Sequence, residues 1–355
     1  MDPLTHATAG VVISQLIPGP DRKRMMLAGL IFGLLPDIDY ILIFIDRLAL
    51  LRHHRGITHS LIALPVLAWL GALVGRAWGG RAWFRPLFLT GLAVLASHLL
   101  LDLVTSYGTK LLSPFSSAKL SLDWVFIIDP VITLPLLAGT VAAFLGFQVR
   151  RAAALCLSVA GLYLLLCGFF HQQALVAARK VLSANGEAPL RLAALPQPFS
   201  CRRWHLIAWW PAEVRQAFLE VPRTGLWGAR VAAADVSPPQ EACFNPRAPE
   251  ARFQPPDSLE VKVWRGEPYP IGPFAPDTHR LLESFLHFAR FPLLLKCSLQ
   301  GGDLLLTWLD LRFTVPGRSF PFVLAMEVAP DGRLKHWRMG YGPADRQEEQ
   351  KNRRS

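Results

Sequence analysis

The chain has 355 residues, 52% of them hydrophobic and 18% charged, and a formal net charge of +11. That composition is too apolar for an ordinary soluble enzyme, and the length accommodates two domains. No basic stretch interleaved with aromatics occurs, which argues against a nucleic-acid partner and leaves the positive charge as a signal of membrane orientation and headgroup contact.

The first half is built from apolar segments. A helix needs about 20 mostly apolar residues to cross a bilayer. Residues 4–17 are apolar but short, about 21 Å as a helix. They form a partial span without the basic start and cleavage site of a signal peptide. Residues 27–45 are long enough but contain Asp37 and Asp39. Residues 57–75 carry a histidine near their start, and 87–104 end on His98 and Asp102. The cleanest spans are 124–149 and 152–178. These segments predict an α-helical polytopic membrane domain, about five to six membrane segments, over residues 1–178.

Orientation follows from the short basic loops. One side holds Arg22, Lys23, Arg24, Arg76, Arg81, Arg85, Arg150 and Arg151; the other holds Arg47, Arg52, Arg55, Lys110 and Lys119. The larger set belongs in the cytoplasm. A multipass protein of the bacterial inner membrane results, with its second half outside.

From about residue 180 prolines multiply and turns appear. Residues 293–300, 303–315 and 320–329 read as strands, separated by Gly301-Gly302-Asp303, Pro316-Gly317-Arg318 and Pro330-Asp331-Gly332. The expectation is a β-rich soluble domain over 179–342 and a disordered tail over 343–355. The run from Trp204 to Trp210 fits a β core better than a ligand box. His205, His279, His287 and His336 are scattered and form no catalytic set. Five cysteines without a CxxC spacing argue against a zinc knuckle. A Cys201–Cys243 disulfide is compatible with an extracytoplasmic domain, whereas Cys156 and Cys167 read as helix packing. A protein partner, or a cover over the membrane site, is the expected use of this domain. Oligomeric state has no signature in the sequence.

Titratable groups inside membrane segments are costly and mark function. Four clusters occur: His6; Asp37 and Asp39 in Pro36-Asp37-Ile38-Asp39; His53, His54 and His59; and His98 with Asp102. The last pair, spaced i, i+4, shares one helix face. Pro36 weakens the helix locally, so both nearby carboxylates can turn to one centre. Gly56 breaks the chain ahead of His59, which then starts the next helix. Helices alternating in direction bring all four clusters to one membrane side. His53 reads as a solvated neighbour and His171 as interfacial.

Imidazoles and carboxylates without thiolates suit a divalent metal, zinc or manganese, one or more ions. The expected ligands are His6, Asp37, Asp39, His54, His59, His98 and Asp102. Asp39 or Asp37 would take a proton from water. Asp123, Asp129 and Lys110 are possible accessory groups; helix capping is an equal reading for the two aspartates, and interfacial anchoring for Lys110.

The order Thr5-His6…Gly10, Gly33…Asp39, His54…Ser60 and Ser97…Gly108 resembles a bacterial family of inner-membrane metal-dependent hydrolases of the LexA-regulated type. The resemblance covers roughly residues 1–170. The order is also similar to zinc-dependent phospholipase C at His6, Asp37 or Asp39, His59, and the His98/Asp102 pair. The N-terminal Trp ligand and the later His/Glu set of that enzyme have no match in this sequence. These resemblances imply hydrolysis, with a phosphoester of a membrane lipid or lipid-linked molecule as substrate. Two other uses fit the same residues: ion or proton transport, and a non-catalytic membrane regulator.

Overall fold

The structure, a computed structural model, describes residues 1–44, 53–182, 188–210, 213–224, 235–236, 240–241, 253–256, 259–265, 274–316 and 322–340. The chain divides into two compact units: Met1–His171 with Pro196–Cys201, and Gln172–Leu195 with Arg202–Ser355.

In the first unit, helix α1 (Pro3–Ser14) starts sharply because Asp2 caps it, accepting from the Thr5 amide at 3.0 Å, and Pro3 occupies its first turn. Helix α2 (Arg22–Leu34) is capped in the same way by Asp21. The two helices pack backbone to backbone. A Cβ on Gly10 would overlap the Gly29 carbonyl oxygen, and one on Gly33 would overlap that of His6. This approach sets the start of α1 beside the end of α2, where the chain bends by 50° into a 3-10 segment, Pro36–Phe44. Pro36 supplies the break, since it lacks the N–H that a continuous helix requires.

A 3-10 turn, Ile57–His59, precedes helix α3 (Ala63–Gly79). His59 therefore ends that turn rather than starting a helix. Helix α4 (Phe84–Leu103) packs on α3, with Phe32, Ala68, Val94 and Leu95 as a shared core. An extended loop leads to α5 (Pro130–Leu145), whose N-cap is Asp129, and then to the 34-residue helix α6 (Val149–Leu182).

The expected five to six membrane segments are too many. Among the described residues, two helical stretches are long and apolar enough to cross, Arg81–Leu103 and Val149–Leu182. A third span results if α2 and the bent segment after it count as one. Helices α3 and α5 have 17 and 16 residues, about 25 Å at 1.5 Å per residue, short of the roughly 30 Å hydrocarbon layer. The segment predicted from residue 124 loses its first residues to the loop that Asp129 terminates. The outward faces stay apolar: Leu27, Ile31, Trp69, Val74, Leu134, Phe144, Leu155, Leu162 and Leu165 are all exposed. A contiguous apolar exterior of this kind suits lipid as the surrounding solvent.

The second unit is sheet-rich. Strands β1 (Arg191–Gln197), β2 (Ser200–Trp209), β3 (Glu213–Glu220), β4 (Asp235–Val236), β5 (Gln240–Glu241) and β6 (Glu260–Arg265) form one sheet in the order β1-β2-β3-β6-β4, with β5 also on β6. Helix α7 (Pro276–Phe288) follows. Strands β7 (Pro292–Gln300), β8 (Asp303–Asp310), β9 (Val323–Val328) and β10 (Leu334–Gly340) form an antiparallel sheet in the order β10-β9-β8-β7. Ala193, Leu195, Ile207, Val214, Phe291, Leu309 and Val323 give the two sheets a common core. The strand predicted over 303–315 stops at Asp310. There the carboxylate accepts from the Phe291 and Arg312 amides and pairs with the Arg312 guanidinium at 2.7 Å, and the chain turns. Strand β9 begins within the predicted 320–329; residues 320 and 321, Cys243 and the tail 343–355 lie outside the described residues. Trp204 is fully buried, as a β-core reading requires.

Candidate metal centre

Four separate pieces of chain supply the site. Helix α1 contributes His6 from its first turn, and the bend after α2 contributes Asp37 and Asp39. The turn before α3 contributes His54, Arg55 and His59. Helix α4 contributes His98 and Asp102 one turn apart, 3.5 Å from Nε2 to Oδ2. Three overlapping groups of ligating atoms result: His6, His98 and Asp102; Asp37, His59 and His98; and Asp37, Asp39 and His54. All seven expected ligands are thus brought together.

The hydrogen-bond pattern fixes where the protons sit. His98 Nδ1 lies 2.8 Å from the Gly33 carbonyl oxygen. A carbonyl only accepts, so Nδ1 carries a hydrogen, and in the neutral ring Nε2 keeps its lone pair. The Thr58 hydroxyl donates to Asp39 Oδ2 at 3.3 Å and lies 3.0 Å from His59 Nδ1. With that hydroxyl accepting from His59 Nδ1–H, the neutral His59 ring presents its Nε2 lone pair. The two bare nitrogens face each other at 3.2 Å.

Two carboxylate oxygens complete the cage. His59 Nε2 is 3.3 Å from Asp37 Oδ1 and 3.3 Å from Asp102 Oδ2; His98 Nε2 is 3.8 Å and 3.5 Å from the same oxygens. Ligands of a tetrahedral zinc at roughly 2.0–2.1 Å lie about 3.3–3.4 Å apart. The spacing therefore fits a small ion, and lone pairs alone would repel. Asp102 Oδ2, which faces both imidazoles, is buried with no hydrogen-bond partner, an orphaned acceptor that a cation would satisfy; Asp37 Oδ2, outside the cage, is likewise buried and unpartnered. The donor set, imidazole nitrogen and carboxylate oxygen, fits zinc or manganese.

The surrounding groups hold these ligands in place. Asp39 is saturated: Oδ1 accepts from His54 Nδ1 at 2.9 Å, and Oδ2 accepts from the Arg55 amide at 3.0 Å and from Thr58. It orients His54 directly and His59 through Thr58, the carboxylate–histidine arrangement typical behind a metal ligand. Asp102 Oδ1 faces away from the cage. It pairs with Arg55 Nη2 at 2.7 Å and contacts the Met1 amino group, leaving Oδ2 for the centre. His6 stacks on His98 with ring centroids 3.7 Å apart, its Nε2 lying 3.2 Å from Asp102 Oδ1.

Sequence reasoning missed Arg55, which it counted among exposed loop charges. The guanidinium is buried, donates to Thr105 Oγ1 at 3.1 Å and lies over the Tyr107 ring. Three carboxylates in a buried cluster require such a counter-charge. The signal was present in the motif, since Arg55 sits between two ligand histidines inside the segment His54–Ser60.

The accessory residues fall elsewhere. Asp129 caps α5, accepting from the Val131 amide at 2.9 Å and from the Tyr163 hydroxyl at 2.9 Å. Asp123 is buried in the loop before α5 with a left-handed backbone, φ 57°. The Lys110 amide bonds the Arg55 carbonyl oxygen, and its side chain is partly exposed. None of the three belongs to a ligating group among the described residues. His53 is exposed and His171 buried.

Comparison with known proteins covers the helical half. A family model described as YdjM inner membrane protein matches residues 1–174. The inner membrane protein YbcI of Escherichia coli (strain K12) is 37% identical over 131 residues, 34% of this chain and 72% of that protein. The uncharacterized protein YfhP of Bacillus subtilis (strain 168) is 26% identical over 178 residues, 48% of this chain and 53% of that protein. The chain thus spans about half the length of the Bacillus relative. No solved structure matches. By the extent and identity of these matches, the chain belongs to the YdjM inner membrane protein family.

Proposed function

We propose that this membrane protein is a metal-dependent hydrolase acting on a phosphoester of a lipid or lipid-linked molecule. The observation that carries the reading is the approach of Asp37 Oδ1 and Asp102 Oδ2 to the same two imidazole nitrogens, His59 Nε2 and His98 Nε2. These residues would hold the ion, zinc by preference, with His6 and His54 flanking it. A divalent ion held there supplies Lewis acidity, which activates water at neutral pH and polarises a phosphoryl oxygen.

The chain's own groups do the rest. Asp37 Oδ2, buried and unpartnered, accepts the proton from the attacking water. Asp39 was the other aspartate suited to that task by sequence. Its two oxygens are occupied by three hydrogen bonds, from His54, the Arg55 amide and Thr58, which suits it to orienting ligands instead. Arg55 holds Asp102 in one rotamer. The lipid substrate class rests on the apolar exterior around the site and on the similarity to zinc-dependent phospholipase C. The site faces the extracytoplasmic side in this reading, because Arg22, Lys23 and Arg24 lie at the opposite end of α2 and belong in the cytoplasm.

Purified protein in mixed micelles with a phosphodiester and a phosphomonoester lipid tests the reaction. Phosphate-bond hydrolysis that stops with a chelator and returns with zinc or manganese is expected. Hydrolysis unaffected by chelation, or none with either lipid by protein that binds metal stoichiometrically, contradicts the proposal.

A further inference from the structure

We propose that Cys167 and Cys201 form a redox pair that closes to a disulfide between helix α6 and the start of strand β2. Neither cysteine belongs to a ligating group among the described residues, and the inference does not depend on the reading of that centre. Cys167 is 1% exposed in a core with Leu101, Val104, Val125 and Ala160, and Cys201 packs on that core, partly buried. The two side chains are hydrogen-bond partners, although 33 residues separate them in the chain. Tyr163 bonds the Cys167 sulfur on its other side and donates to Asp129 Oδ2 at 2.9 Å, so the thiol is held in position. Both cysteines are reduced in this structure.

A disulfide needs Cβ atoms roughly 3.5–4.5 Å apart, a requirement that two interacting thiols in one core are placed to meet. The apolar run of α6 ends at Phe170 and passes into His171-Gln172-Gln173, so Cys167 lies one helical turn from the polar boundary. A water-borne oxidant reaches it there through Cys201, the more exposed of the two. In chemical terms, the Cys201 thiolate attacks the disulfide of a small or protein disulfide oxidant and forms a mixed disulfide. Cys167 then displaces the oxidant's second sulfur. One S–S bond replaces two S–H bonds, and the two electrons and two protons leave with the oxidant as a dithiol or two thiols. The product fixes the start of β2 to α6. The sequence had offered Cys243 as the partner of Cys201; Cys167 is the residue the fold places there.

Oxidised glutathione applied to the purified full-length protein, followed by denaturation, alkylation and peptide mapping, tests this. Three of the five cysteines are expected to alkylate, with one peptide joining Cys167 to Cys201. Cys156→Ser should retain that link, and Cys167→Ser and Cys201→Ser should lose it. Metal content should be unchanged by oxidation, which separates this result from the fate of the metal reading. Alkylation of all five thiols after oxidation, or a link from Cys201 to Cys243, overturns the proposal.

Discussion

Two buried histidine environments in this molecule look alike by exposure and differ in everything that bears on function. His205, on β2 against β3, is fully buried, donates one hydrogen bond from Nε2 to Gln216 Oε1 at 3.0 Å and stacks on Phe218. Its side-chain hydrogen-bond partner is a neutral amide, and burial pushes its pKa down to about 4. His98 is equally buried, yet its free nitrogen faces another bare imidazole nitrogen and two carboxylate oxygens. Burial alone makes a core histidine. Convergence of acceptors without a proton between them makes a cation site, and the comparison can be broken or sharpened by substitution.

The largest effect is expected at the cage. Asp37→Asn or His98→Ala should abolish stoichiometric metal and lower any hydrolytic rate by at least about 10³-fold, whereas His205→Gln should leave both unchanged. Equal metal loss in all three variants would erase the distinction. Next comes Arg55→Ala, which strands the buried Asp102 carboxylate. Stability should fall by about 3–5 kcal/mol in denaturant unfolding, with partial rescue by Arg55→Lys.

His205 makes a pH prediction of its own. The unfolded chain takes up a proton there below its ordinary value near 6.5, and the folded chain only below about 4. Between those limits unfolding binds a proton, so stability is complete above pH 6.5 and declines as pH falls toward 4. The decline amounts to about 3 kcal/mol. His205→Gln, which keeps the cross-strand amide bond, should flatten that part of the stability profile. An unchanged slope in the variant would assign the pH dependence to other groups. The smallest effect is expected for Asp39→Asn, behind the ligands. Metal affinity should weaken by roughly 10–100-fold without being lost, measured by competition with a chromophoric chelator.

How much of this was legible in the sequence differs between the regions. The ligands were, because ionisable residues in apolar segments stand out and the four-residue spacing of His98 and Asp102 defines a helix face. Strands β7 to β9 were, because Gly and Pro turns bracket them. Arg55 was not, since a cation next to a span reads as a loop charge until its carboxylate partner, 47 residues away, is known. The number of spans was overestimated because hydropathy does not register where helices start and stop: the bend at Pro36 and the cap at Asp129 shorten what composition makes continuous. Helix α7 and strand β10 went unread. The first lies beyond a proline-rich stretch, and the second is largely exposed and lacks a clean alternation. Pairings such as Cys167 with Cys201 depend on long-range packing that no local pattern encodes.

Metal analysis of the purified full-length protein, combined with zinc-edge absorption spectroscopy, tests the central claim most directly. The account predicts at least one tightly held divalent ion per chain, in a nitrogen and oxygen shell containing two imidazoles, and its loss in Asp37→Asn. Folded wild-type protein that is free of metal after purification and fails to take up added zinc or manganese would contradict it, as would a sulfur-ligated ion.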